Sequence, residues 1–203
     1  MTRLIDLRVL ELIAARLCHD LIGPVAAVAN GVELLGEDDP DFVRDAVALV
    51  GDSARKANAR LQFYRFSYGF GGGGLTGPAP HQLVAEFFAE TAIECDYRAE
   101  ARALPVERQK LACTMLAVAG EGLPRGGRLV LGVGAAGPQV EARGEGTGPS
   151  PDARSALLLA TSVGALTTRT VGAYFAGLIA EAQGLQLRIS DISGGFELAA
   201  EPG

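Results

Sequence analysis

The sequence predicts an α+β protein: an N-terminal antiparallel helical hairpin that forms a dimeric four-helix bundle with a second copy, then a C-terminal α/β sandwich. Three observations predict this. Apolar residues recur at steps of three and four over residues 4–36 and again over 41–68, the period of helices with one buried stripe. A glycine-rich break, "GFGGGGLTGPAP" at 69–80, follows them. Beyond it, helical runs alternate with short β-rich runs bounded by Gly, Pro and Ser. The expected division is residues 1–70 as the hairpin, 71–80 as linker and 81–203 as the α+β domain.

The first stripe holds Leu7, Leu10, Ala14, Leu17, Leu21, Val25, Val28, Val32 and Leu35. At 1.5 Å per residue such a helix is roughly 50 Å long, which implies a bundle. In "GEDDP", Gly36 suits a C-terminal cap, Asp38 or Asp39 an N-cap, and Pro40 the first turn of the next helix. That second helix carries Phe42, Ala46, Leu49, Ser53, Ala57, Leu61 and Tyr64 on one face. The short connection makes the pair antiparallel. One hairpin cannot bury a two-sided seam, whereas two can, so a homodimer is expected.

The glycine run has no strand before it and no Lys-Ser/Thr after it, so it reads as a flexible linker and not a phosphate loop. Past the linker, the pattern predicts helices over 81–93 and 105–121 with a strand around 95–101 between them. A β-hairpin follows in "GRLVLGVGAAGPQVEAR", turning at Gly134 to Pro138. Helices are expected over 151–163 and 170–183, and a last hairpin turns around Ser193 to Gly195. The sum is helices on one face of a mixed sheet.

Composition narrows the function. The 203 residues are 48% hydrophobic and 21% charged, a globular balance. A net charge of −6 with a pI near 5.0 argues against nucleic acid as a partner, because phosphate neutralisation needs clustered Lys and Arg. Cys18, Cys95 and Cys113 follow no pairing pattern and fit reduced thiols of a cytoplasmic protein. His19 and His81 stand too far apart to suggest zinc, and no metal site is expected. The uncharged run from Ser155 to Thr168 is too short to span about 30 Å of hydrocarbon, so no membrane is expected.

One stretch needs more than packing. "LCHDLIGP" puts His19 mid-helix with Pro24 five residues on. With the leucine stripe on heptad positions a and d, His19 falls at f and points outward. A neutral imidazole keeps a ring lone pair, as a nucleophile for phosphorus requires. A surface histidine alone would mean nothing, but three neighbours change its weight. Pro24 removes the amide that would bond the Asp20 carbonyl, so Gly23 and Pro24 should loosen or bend the helix, at about 3 kcal/mol. Leu12, Ala15, Ile22 and Ala26 share the face of His19 and are apolar, as a docking surface would be. Folding the hairpin brings Arg55, Lys56, Asn58 and Arg60 to the level of His19, where cations would stabilise a phosphoimidazole.

These residues resemble a family. "LCHDLIGP" is similar to the phosphoacceptor box of histidine-kinase dimerisation domains. The longer "ARLCHDLIGPVAAVANGVELL", with the linker and the closing "GGFELAAEPG", resembles the ChpT-type histidine phosphotransferases of alphaproteobacteria. The resemblance implies a homodimer whose C-terminal domain has the shape of a kinase ATPase domain. It implies relay of a phosphoryl group from the receiver domain of a hybrid sensor kinase, through His19, to one or more response regulators. Asp20 would hold the imidazole tautomer or take a proton, and Arg16 would contact the phosphoryl group or pair with Asp20. Mg²⁺ is expected on the partner receiver, with no cofactor bound here. Gly23 stands where bifunctional kinases carry Thr or Asn, which implies weak phosphatase activity.

An ATP-using kinase needs an Asn-bearing helix, and "KLACTMLAVAGEGLPRGG" offers Thr114 and Val118 instead. "RGEGTGP" has the glycines of a nucleotide turn but Glu145 in place of Asp, and a surface turn explains it equally well. The C-terminal domain therefore reads as a degenerate, nucleotide-free remnant. The alternatives are an atypical histidine kinase with residual ATP binding and a non-catalytic dimeric scaffold.

Overall fold

The structure, a computed structural model, describes residues 5–69 and 77–203. Most of the expected linker, residues 70–76, lies outside them. Helices α1 (Leu7–Leu34) and α2 (Pro40–Tyr68) form the hairpin. Asp6 caps α1 by accepting from the Arg8 amide, and Asp39 caps α2 by accepting from the Asp41 amide, with Pro40 in the first turn. The two helices meet at Gly31, where a Cβ would lie 2.6 Å from a Val50 methyl, so only glycine permits this approach.

After the linker come α3 (Pro80–Phe88), β1 (Ile93–Tyr97), α4 (Ala99–Arg102), α5 (Val106–Glu121), β2 (Gly127–Val133) and β3 (Pro138–Arg143). Then follow α6 (Pro151–Leu157), a 3₁₀ turn at Val163–Ala165, α7 (Val171–Ala182), β4 (Leu185–Ile192) and β5 (Gly195–Pro202). The strands form one sheet in the order β1-β2-β3-β5-β4. Only β1–β2 is parallel; the other pairs are antiparallel. Alternation along the strands buries Leu129, Leu131, Val140, Ala142, Phe196 and Leu198 on one face, under α5 and α7. This is the expected two-layer arrangement.

Three boundaries differ from the sequence expectation, each for a local reason. The helix expected over 81–93 ends at Phe88, because Thr91 donates both its amide and its hydroxyl to the Phe88 carbonyl, at 2.9 and 2.8 Å. The strand expected around 95–101 is Ile93–Tyr97; the chain then turns into α4, and Arg102 Nε donates to the Tyr97 carbonyl at 3.2 Å. The helix expected over 151–163 stops at Leu157, two residues before Leu159 takes a left-handed φ of 56°.

The hydrophobic core is continuous from the hairpin into the sandwich. Val9 of α1 and Phe63 of α2 join Leu111, Met115 and Leu116 of α5 in one cluster. Phe63 stacks on Phe87 of α3 with ring centroids 4.0 Å apart. The leucine stripe is thus shared out: Leu17 packs on this core, while Leu7 is 67% exposed and Leu10, Val25, Val32 and Leu35 are exposed too. Among the described residues, α1 is the helix long and apolar enough to cross a membrane by length and composition alone.

Candidate functional site

His19 sits midway along α1 with 87% of its side chain exposed. Helix α1 continues unbroken through Gly23 and Pro24, so the expected bend is not a break. The reason lies on α2. The Asp20 carbonyl, left without the amide that Pro24 lacks, accepts a hydrogen bond from Arg60 Nη1. Pro24 itself is buried in the hairpin.

Asp20 is held twice more. Its Oδ2 accepts from the Tyr64 hydroxyl, and its Oδ1 lies 3.3 Å from His19 Nδ1. Burial and the facing Asp20 carboxylate push the Tyr64 phenol well above its ordinary value of 10.0. These groups open onto a cleft of about 580 Å³ between the hairpin and the sandwich. Its walls include Tyr64, Tyr68 and Phe88, the α5 residues Val118 and Glu121, and Ser150 ahead of α6.

Arg16 lines the same cleft as His19, and its ion pair is with Glu121 rather than with Asp20. Its side chain is 13% exposed, and its guanidinium pairs with Glu121 at the end of α5 and donates to the Thr168 and Arg169 carbonyls at 3.4 Å. A Cβ at Gly172 would come within 2.8 Å of Arg16 Nη1, so glycine at the start of α7 makes room for this tie. Arg16 therefore fastens α1 to the sandwich one turn before His19. Arg16→Gln is expected to cost about 1–2 kcal/mol of unfolding free energy. Glu121→Gln in the same background should add less than it does alone, as chemical denaturation of the four-member cycle will read.

The other expected residues divide. Ala15, Ile22 and Ala26 are exposed around His19. Leu12 is not: it is half-buried against the core, because the first turns of α1 pack on α7 and the 3₁₀ turn. Of the expected cations, Arg60 lines the His19 cleft. Arg55 and Lys56 instead line a neighbouring cleft of about 400 Å³ with Asn58 and Glu90. Arg55 pairs with Asp52, and Lys56 lies 3.6 Å from Glu90. His81 is half-buried, its ring edge-on to Tyr97. Glu145, in the glycine-rich turn, pairs with Arg125 at 3.0 Å on the surface.

Sequence reasoning missed Tyr64 and Glu121 as site residues. Tyr64 lay on the core stripe of α2 and read as packing. Nothing local marks Glu121.

Cys18, directly before His19, is exposed, whereas burial raises Cys95 to about 12 and Cys113 further still. Iodoacetamide at about pH 8 should therefore add one adduct to the native protein, at Cys18, and three after denaturation, counted by intact mass. Adducts on Cys95 before unfolding would contradict this burial.

The described residues thus form a helical hairpin that presents an open imidazole, backed by a two-layer sandwich. Residues 79–192 match the family described as histidine phosphotransferase C-terminal domain. A stretch of 124 residues, 59% of this chain, is 40% identical to "Protein phosphotransferase ChpT" of Brucella abortus (strain 2308), covering 58% of that relative's length. The chain thus matches a little over half of that relative. The 1.7 Å structure of a bacterial phosphotransferase superposes over 98% of both chains, with a TM-score of 0.78 and 29% identity. The chain belongs to the ChpT-type histidine phosphotransferase family.

Proposed function

We propose that this protein relays a phosphoryl group from the receiver domain of a hybrid sensor kinase, through His19, to one or more response regulators. The observation that carries the reading is the imidazole itself, solvent-facing on a rigid helix and backed by a carboxylate at 3.3 Å. An aspartyl phosphate on the receiver is the donor. A ring nitrogen lone pair attacks phosphorus, the P–O bond to the aspartyl carboxylate breaks, and the electron pair leaves on that carboxylate. A second receiver reverses the step. Such transfers pass through a loose transition state, so alignment and charge neutralisation supply most of the catalysis. The receiver brings Mg²⁺ for the second of these; Arg60 adds a cation on the hairpin side.

Of the α5 residues that line the cleft, Ala117 and Val118 offer no side-chain ligand to a metal-bound nucleotide, and the carboxylate of Glu121 is paired with Arg16. This supports a relay over an autonomous kinase. The exposed apolar row on α1, with Phe42, Val47, Leu49 and Leu61 of α2, supports a homodimer closed into a four-helix bundle. The same burial accounts for the apolar character of α1 without a bilayer and fits a cytoplasmic protein. Sedimentation across a concentration series reads the dimer; a monomer throughout would remove it.

The deciding experiment mixes a pre-phosphorylated receiver domain with the full chain and follows acid-labile, alkali-stable label on this protein. Label should arrive and leave again on addition of a second receiver. No uptake would reject the relay.

A further inference from the structure

We propose that Tyr64 is a positioning residue: its hydroxyl holds the Asp20 carboxylate against His19 Nδ1, so that the ring tautomer which leaves Nε2 free depends on Tyr64. The inference rests on the proposed role of His19 and states how that site is held.

Side chains at successive positions of a helix do not face each other. Asp20 reaching the ring of its neighbour His19 therefore needs something to fix the carboxylate. Two groups on α2 do so. The Tyr64 hydroxyl donates to Oδ2, and Arg60 donates to the Asp20 main-chain carbonyl. Tyr64 is itself immobilised: it is buried, stacked on Tyr68 at 5.6 Å and edge-on to Phe63 and Phe87. With Oδ2 taken, Oδ1 is left toward His19 Nδ1 at 3.3 Å.

An ionised carboxylate only accepts hydrogen bonds, so the neutral ring must carry its proton on Nδ1. Nε2 then keeps the lone pair and, among the described residues, meets no hydrogen-bond partner. A free imidazole in water prefers the opposite tautomer, with the proton on Nε2. The arrangement therefore reverses the tautomer that an 87% exposed ring would otherwise adopt. In the transfer, the Nε2 lone pair forms the P–N bond as the P–O bond breaks. The Nδ1 proton stays on the ring, and the positive charge gained there is met by Asp20.

The test is ¹⁵N NMR of the histidine rings in the full chain at about pH 8.5, above the ordinary histidine pKa of roughly 6.5. In the wild type, Nδ1 should report as protonated and Nε2 as unprotonated. Tyr64→Phe keeps the ring stack and removes only the hydroxyl; it should shift the population toward Nε2–H. Asp20→Ala should do the same. With phosphoramidate as a small-molecule donor, Tyr64→Phe should slow phosphorylation of His19 roughly fivefold, the worth of one net hydrogen bond.

A wild-type ring protonated mainly on Nε2 overturns the proposal with no variant needed, even if Tyr64→Phe fails to fold. An unchanged tautomer in Tyr64→Phe or in Asp20→Ala overturns it as well. Either result leaves His19 standing as phosphoacceptor. Label arriving on His19→Ala from a phosphorylated receiver would remove the acceptor role and leave the tautomer measurement intact.

Discussion

His19→Ala abolishes uptake of label from a phosphorylated receiver and leaves the fold unchanged. The two halves of that result separate chemistry from structure. The ring is 87% exposed, and its recorded contact is Asp20 at 3.3 Å, so its removal opens no cavity. Alanine is the best helix former, and surface substitutions of this kind stay within about 0.5 kcal/mol. Circular dichroism and melting temperature should therefore match the wild type while transfer falls to background. Label on the variant would place the acceptor elsewhere. The other histidine, His81, is half-buried against Tyr97 and poorly placed to take over.

Phe63→Ala should have the largest effect on stability. Its ring is fully buried, stacked on Phe87 at 4.0 Å and edge-on to Tyr64, at the point where α2 meets α3. Deleting such a ring costs about 3–5 kcal/mol in lost burial and residual cavity. For a chain of this size that lowers the melting temperature by roughly ten degrees. The loss also bears on His19, because Tyr64 and Tyr68 are held by the same aromatic cluster. A melting temperature within a degree or two of wild type would mean that the hairpin and the sandwich do not share one core.

Much of this architecture was legible from local pattern. Helical periodicity, the Asp39–Pro40 start of α2, and the turns at Gly134 to Pro138 and Ser193 to Gly195 are decided within a few residues. His19 was legible for the same reason: its outward position follows from the phase of the leucine stripe on its own helix. The misplaced ends of α3, β1 and α6 were not. Each depended on one side-chain hydrogen bond or one left-handed residue, which periodicity cannot register.

The sequence by itself determined that a helix would present an imidazole beside an acid and a proline, ahead of a mixed sheet layered with helices. It could not decide what those residues touch. Arg60 to the Asp20 carbonyl, Tyr64 to the Asp20 carboxylate and Arg16 to Glu121 join positions 40, 44 and 105 residues apart. The partners of Arg16, namely Glu121 and the Thr168 and Arg169 carbonyls, lie 105 to 153 residues further along the chain, and Leu12 packs on a core built largely from elements beyond the linker. Local preference acts over a turn or two of backbone. Which side chains meet across the cleft is decided by how the shared core brings the hairpin against the sandwich.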